Sequence, residues 1–492
     1  MAKQQEPGNG HSEAERRQRA ARRPPDNIRQ LDNRRSPGRQ PPQHNPSSEG
    51  KSSSGRPSAP ERANSKRPAS NRSSETVRQQ TAAGRPQGAR VKYPVKRSPA
   101  VMPHKDEGGD RQNKKEGKTR RFYDYSLLFT IIFLTVFGLV MIYSSSSYSA
   151  QLRYHDAGYF MKRQGVIALG SFVLMLIVSK IDYHFYAKFV YLAYGASYLL
   201  MALAMWSPLG VEVNGKKRWL KLGPGIQIQP TELVKIALIL LIAVVITQMG
   251  TKINEFSSLL KIAALALPLA VMVAMNNLSS GIIILGITFV MCFVASKLHW
   301  PFIVCTGAAA AVFAFAGPLA TALEKIGLLQ GYQLRRIHVW LDPEAFPQDG
   351  GYQVLQGLYA IGSGGLVGKG LGESIQKLGF VPEAQNDMVF SIICEELGIF
   401  GAISVILIFL FMIYRFMLIA SNAPDLFGAM LVVGVMGHIG IQVILNIAVV
   451  TNTIPNTGIT LPFISYGGTS VLFLMMEMGM VLSVSNRIKL QK

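Results

Sequence analysis

Residues 262–296 read IAALALPLAVMVAMNNLSSGIIILGITFVMCFVAS, thirty-five consecutive positions without a charged side chain. As one α-helix the stretch would run about 52 Å at ~1.5 Å per residue, whereas the hydrocarbon core of a bilayer is about 30 Å thick. A single crossing cannot absorb it, so the chain must break. Asn276-Asn277-Leu278-Ser279-Ser280-Gly281 supplies a polar, helix-interrupting turn near its middle. The run therefore reads as two membrane-spanning helices.

Working outward, uncharged runs at 125–152, 164–179, 189–211, 236–251, 300–323 and 397–414 each fit one span. The run 426–476 again exceeds one span and is interrupted by Asn452-Thr453-Ile454-Pro455-Asn456-Thr457-Gly458, giving two more. The expected fold class is an all-α polytopic membrane protein with ten transmembrane helices. Lys114, Lys115, Lys118, Arg120 and Arg121 precede the first span, which fixes the amino end in the cytoplasm. An even number of crossings returns Arg487, Lys489 and Lys492 to the same side. The expected location is thus the cytoplasmic membrane, with both termini inside. No repeat of fixed period is visible, so self-similarity gives an inverted-repeat transporter no support.

Composition divides the chain. Of 492 residues, the first 120 hold 28 of the 51 Lys and Arg and 12 of the 29 Asp and Glu, so most of the net charge of +22 lies there. Tyr93 is the one aromatic residue of that segment, which is rich in Pro, Ser, Gly, Gln and Arg and cannot bury enough apolar surface to offset chain entropy. Residues 1–120 are expected to form a disordered basic cytoplasmic tail, and 121–492 the ten-helix membrane domain. Arginine pairs such as Arg16-Arg17 and Arg22-Arg23 lack the interleaved aromatics of a nucleic-acid surface; anionic lipid is the expected neighbour. The apolar runs exclude a soluble protein, and the Arg-rich start lacks a signal-peptide core. Cys292, Cys305 and Cys394 all lie in apolar stretches, where buried packing is expected rather than a disulfide framework.

Ten alternating spans put four polar segments outside: 151–163, 208–228, a large loop at 324–386 between the seventh and eighth helices, and 452–467. Asn214-Gly215-Lys216-Lys217-Arg218-Trp219-Leu220-Lys221 places four cations on the outer side, against the usual trend. A phosphate-bearing ligand would explain them, and so would lipid headgroups. In Gln229-Pro230-Thr231-Glu232-Leu233-Val234-Lys235, Pro230 suits a first helical turn, and Glu232 and Lys235 share a face and can pair. Ionisable side chains in a membrane helix mark a functional cavity or a structural bridge.

The large loop carries aromatic and apolar residues, from Tyr332 to Leu341 and from Tyr352 to Tyr359, that suit a segment folded onto the bilayer. Its glycine-rich stretch Gly362–Gly372 lacks the Lys-Ser/Thr pair of a nucleotide-binding loop; Lys369 is either an anion contact or part of a hinge. The loop closes on Val381-Pro382-Glu383-Ala384-Gln385-Asn386-Asp387-Met388. Asp387, at a helix amino terminus, is either a proton acceptor or a helix cap, and composition alone favours the cap.

Four segments in this order resemble the FtsW/RodA/SpoVE (SEDS) family of shape, elongation, division and sporulation proteins: Asn214–Leu222, Gln229–Lys235, Gly365–Glu396, and Pro455–Ser470 with its LPFISYGGTS. The resemblance covers about residues 122–486, and Pro382–Asp387 with Ile454–Gly458 is more similar to the division and sporulation branch than to the elongation branch. It implies a peptidoglycan glycosyltransferase that polymerises lipid II at the outer face of the cytoplasmic membrane. Its partners would be a class B penicillin-binding transpeptidase and other division proteins.

On that resemblance Asp387 matches the essential loop aspartate, the general base for the 4-hydroxyl of the acceptor sugar. Arg218, Lys217 and Lys369 would stabilise the departing undecaprenyl diphosphate, and a divalent cation such as Mg or Mn would share that task. No nucleotide or organic cofactor is implied. Glu232 and Lys235 match a polar pair lining the central cavity and would position substrate, Glu383 would hold the acceptor or a metal, and Ser465 and Tyr466 would line the cavity as substrate contacts. Many relatives have Pro-Asp-Leu-Gly-Thr where this chain has Asn276-Asn277-Leu278-Ser279-Ser280, so a carboxylate often found there is absent. A lipid II flippase and a scaffold that recruits the transpeptidase are the competing expectations.

Overall fold

The computed structural model describes residues 122–489 apart from 214–215, 224–225 and 326–330. The expectations for the 1–120 tail, for Arg121, for Asn214-Gly215 and for Lys492 fall outside these residues. In chain order the described residues form α1 (Tyr125–Tyr154), α2 (Tyr159–Lys180), α3 (Tyr183–Lys188) and α4 (Val190–Trp206). Strands β1 (Gly210–Val213), β2 (Lys216–Gly223) and β3 (Ile226–Ile228) follow. Then come α5 (Pro230–Met249), α6 (Phe256–Asn276), α7 (Leu278–Ala295), α8 (Trp300–Ala314), α9 (Ala316–Lys325), α10 (Gly331–Leu341) and α11 (Gly351–Ser363). The last helices are α12 (Val389–Ser421), α13 (Leu426–Val450) and α14 (Thr469–Ser485).

The run that decides the class breaks at Asn277. Its side chain accepts from Ser280 N at 3.3 Å and caps α7, so the residue that ends one helix starts the next. The run 426–476 divides likewise into α13 and α14. Seven of the described helices are long and apolar enough to cross a membrane. The pair α8 and α9, bent by 79°, makes an eighth if taken as one span, and α4 and α14 are shorter apolar helices.

The all-α expectation needs one correction. Residues 210–228 form an antiparallel sheet of order β1-β2-β3. Val211, Trp219, Ile226 and Ile228 favour extended backbone, which basic side chains between them obscured in the charge pattern. The sheet sits on the carboxyl end of α6, where Arg218 Nε donates to Asn276 O at 3.0 Å and Asn276 Nδ2 donates to Lys217 O at 3.1 Å.

Helix α5 lies at the centre, buried along nearly its whole length and packed by α4, α7 and α13. Around it, α14 pairs closely with α2. In contrast, α8 has Phe302 as its one buried side chain and Cys305 is exposed, correcting the expectation that all three cysteines are buried.

The connections gather at two ends. At one, Asp124 caps α1, pairs with Arg415 at 2.8 Å and takes its own N–H to Ser485, while Asp425 caps α13 and accepts from Tyr183. At the other, Ser279 donates to Thr457 O, Trp340 to Asn452 O and Thr469 to Gln227 O, and Phe160 packs on Tyr466. The four segments expected outside all contribute to this second end.

The long helix α12 is kinked at Gly398, whose φ of 65° and ψ of −166° no L side chain adopts without strain. A kink frees backbone groups, and inside a membrane they must be satisfied by protein. The glycine-rich stretch does this as a strap: Lys369 N and Gly370 N donate to Glu395 O and Glu396 O, and Ile399 N and Phe400 N donate to Gly365 O and Leu366 O. A Cβ on Gly398 would stand 2.4 Å from Gly368 N. Replacing Gly398 by Ala is expected to cost about 1–3 kcal/mol or more, read as a lower melting temperature in detergent. Gly362→Ala, within α11 where a Cβ meets open space, is the control that does not lower it.

Candidate active site

The turn Val381–Met388 enters α12 and is held from two sides. Asn446 of α13 donates through one Nδ2 to Asp387 O at 2.9 Å and Ile459 O at 2.7 Å. Tyr466 N donates to Gln385 O at 2.8 Å. Within the turn, Asn386 Nδ2 donates to Glu383 Oε2 at 2.8 Å, and Glu383 has a φ of 48°, a conformation costly for a residue with a Cβ. Strain of this kind gathers at functional sites.

Met388 is the N-cap residue of α12 and no side chain caps the helix, so Asp387 does not have the capping role that composition favoured. Its carboxyl faces Gly458, where a Cβ would come 3.7 Å from Oδ2. Burial pushes Asp387 up from 3.8 to about 6; the Glu383 charge adds to the rise, and its own backbone N–H and the Arg336 guanidinium oppose it. Arg336 Nη1 donates to Asn456 O at 2.9 Å in the same region.

A second polar cluster lies in the helical core. Glu232 and Lys235 pair at 2.8 Å, one helical turn apart on α5. Lys235 Nζ also meets His438 Nε2 at 2.9 Å, His438 Nδ1 meets Glu477 Oε2 at 2.8 Å, and His438 Nε2 meets Gln442 Oε1 at 2.9 Å. Gln442 Nε2 donates to Thr460 O at 3.0 Å, so His438, Gln442 and Asn446, four residues apart, form one polar stripe along α13.

The other expected site residues separate into three places. Lys369 binds the buried Glu395 at 2.6 Å and Ser363 at 3.0 Å. Next to it Lys377 binds the buried Glu396 at 2.9 Å, and Ser144 donates to the same carboxylate. Arg218 and Lys217 lie on the sheet against α6, and Ser465 Oγ accepts from Leu461 N within its own turn. The fold thus unites Asp387, Glu383 and Tyr466 at one end and Glu232 with Lys235 in the core. Among the described residues, no three His, Cys, Asp or Glu side chains come together to hold a metal ion.

Sequence reasoning missed Asn446, Gln442, Glu477 and Arg336. The four-residue spacing of His438, Gln442 and Asn446 within an otherwise apolar helix was the available signal.

The FtsW/RodA/SpoVE family model, described as cell cycle protein, matches residues 125–490. A probable peptidoglycan glycosyltransferase FtsW of Geobacter sp. (strain M18) is 35% identical over 373 residues, covering 75% of this chain and 98% of that protein. Stage V sporulation protein E of Bacillus subtilis (strain 168) is 35% identical over 363 residues, covering 73% and 95%. Among solved structures, a chain from a study of how a peptidoglycan synthase complex coordinates polymerization and crosslinking superposes with a TM-score of 0.61 at 29% identity, covering 74% of this chain and 98% of that one. Rod shape determining protein RodA of Thermus thermophilus gives 0.53 at 27%, covering 75% and 98%.

The raised Asp387 carboxyl has a consequence for stability. Its folded value of about 6 exceeds the ordinary 3.8, so folding takes up a proton between those values, and stability falls as pH rises through them and then levels. Relative to Asp387→Asn, wild type is expected to lose up to about 3 kcal/mol over that window, read from melting temperatures in detergent at stepped pH.

Proposed function

The chain belongs to the FtsW/RodA/SpoVE family of cell cycle proteins, in its FtsW/SpoVE branch, and from that premise we propose that it is a peptidoglycan glycosyltransferase polymerising lipid II. The observation that carries the reading is the Asp387 turn: a carboxyl poised near pH 6 by burial, beside a strained Glu383, at the end where the non-helical segments meet. A general base works best when its pKa lies near the operating pH.

In the proposed reaction the Asp387 carboxylate takes the proton of the acceptor sugar's 4-hydroxyl. That oxygen bonds to the donor's anomeric carbon, whose bond to phosphate breaks, and undecaprenyl diphosphate leaves with the electron pair. Arg336, whose charge Asp387 feels, joins Arg218 and Lys217 as a cation for the leaving group. Lys369 contributes through the strap, given its bond to Glu395. A Mg or Mn ion arriving with the diphosphate would supply charge neutralisation, held mainly by the diphosphate oxygens, since the described residues gather no three metal-ligating side chains. Glu232 and Lys235 position substrate from the core.

The chain crosses the membrane ten times, counting α4, α14 and the bent α8–α9 pair with the seven long helices. The segregation of connections to two ends supports this count. The end with Asp124 and Arg487 faces the cytoplasm, and the Asp387 end faces outward. A class B penicillin-binding transpeptidase is the partner, in line with a structural relative drawn from a peptidoglycan synthase complex.

The test is glycan-strand formation from purified lipid II by the reconstituted chain, with and without a partner transpeptidase whose serine is inactivated. Asp387→Asn is expected to lower the rate at least ~100-fold while lipid II still binds. Equal polymer from both proteins, or none from either despite binding, would refute the assignment and favour flipping or scaffolding.

A further inference from the structure

Beside the Asp387 turn lies a cleft of about 220 Å³ that the catalytic proposal does not use. One wall is aromatic. Tyr154 stacks on Tyr159 at 3.9 Å between ring centres, both meet Phe160 edge-on, and Phe160 meets Tyr466 edge-on at 5.1 Å. The lining also has a polar part: Glu383, Gln385 and Asn386, the residues leading into Asp387. Arg153 stands at the rim, its guanidinium 5.7 Å from the Tyr154 ring centre. Asn386 Oδ1 is buried without a donor.

Aromatic rings in one lining with carboxylate and amide groups match a sugar ring. The apolar C–H face of the ring packs on the aromatic surface, and its hydroxyls bond to side-chain oxygens and amides. A diphosphate fits poorly, because Glu383 presents a carboxylate to the cleft and like charges repel. The cleft also adjoins the turn whose next residue is Asp387, and a general base must lie within hydrogen-bond reach of the hydroxyl it deprotonates.

We propose that this cleft, lined by Tyr154, Phe160 and Tyr466 and by Glu383, Gln385 and Asn386, is the subsite for the neutral acceptor sugar that carries the attacking 4-hydroxyl. The proposal rests on the polymerase reading for the word acceptor; the saccharide specificity of the cleft stands on its lining alone. Arg153 donates to the sugar from the rim, and the exposed Glu383 carboxylate accepts from its hydroxyls.

The probe is N,N′-diacetylchitobiose, a neutral disaccharide without phosphate, followed by saturation-transfer NMR on the full chain in detergent. Wild type and Asp387→Asn are expected to bind it. Tyr154→Ala should weaken binding tenfold or more and Tyr154→Phe less than twofold, because the ring and not the hydroxyl makes the wall. Arg153→Gln, at an exposed rim position whose one recorded contact is with the Tyr154 ring, should weaken binding at least threefold and reads the site even where Tyr154→Ala lowers the melting temperature. Unchanged binding in both Tyr154→Ala and Arg153→Gln, or displacement of the disaccharide by inorganic pyrophosphate, would overturn the subsite. Polymer from lipid II, measured in parallel, separates the two claims. Polymer with Tyr154-independent sugar binding removes the subsite and leaves the polymerase; Tyr154-dependent binding without polymer does the reverse.

Discussion

Three polar side chains on one face of α13 hold this structure in register. His438, Gln442 and Asn446 are buried, so their donors depend on partners within the protein. Those partners come from different parts of the chain: Lys235 of α5 and Glu477 of α14, the Thr460 carbonyl, and the carbonyls of Ile459 and Asp387. Sliding α13 by one residue against its neighbours would orphan all of these groups together. A buried unsatisfied polar group costs more than a made hydrogen bond contributes, so the stripe acts mainly by excluding alternative registers.

The Asp387 turn inherits its position from that stripe and from the kink of α12. Gly398 lets the helix change direction, and the strap 365–372 takes up the backbone groups that the kink releases. Two adjacent buried carboxylates, Glu395 and Glu396, each receive one lysine of the loop, Lys369 and Lys377. Removing either lysine would leave an uncompensated buried charge, a much larger penalty than the net worth of the pair. With α12 anchored below and Asn446 gripping the main chain of Asp387, the carboxyl is presented in a partly desolvated setting, and that setting raises its pKa.

The sequence announces the helices far more clearly than the contacts between them. Lack of charge over 262–296 and 426–476, with polar residues at the middle of each, was enough to locate both breaks, because a span longer than the bilayer must turn. Glu232 and Lys235 were legible as a pair from their spacing. The sheet at 210–228 was not, since its extended residues alternate with cations that the charge pattern draws attention to instead. Lys369 illustrates the general limit. A lysine in a glycine-rich loop looks available to an anion, and only the fold reveals that Glu395, from a distant stretch read as a span edge, occupies it. Glu477 escaped notice for the same reason, at the border of an uncharged run. Cys305 was misjudged because an apolar sequence does not distinguish burial in protein from exposure on a helix that few others cover.

The central claim is that burial tunes Asp387 to act as a base near neutral pH. The direct measurement is kcat/KM for glycan polymerisation by the wild-type chain, with lipid II, across a series of pH values. The account predicts a rate that climbs with pH and levels off, with an apparent pKa near the value of about 6 that burial gives Asp387. A profile flat through that region, or one whose limb sits at the ordinary aspartate value of 3.8, would contradict it.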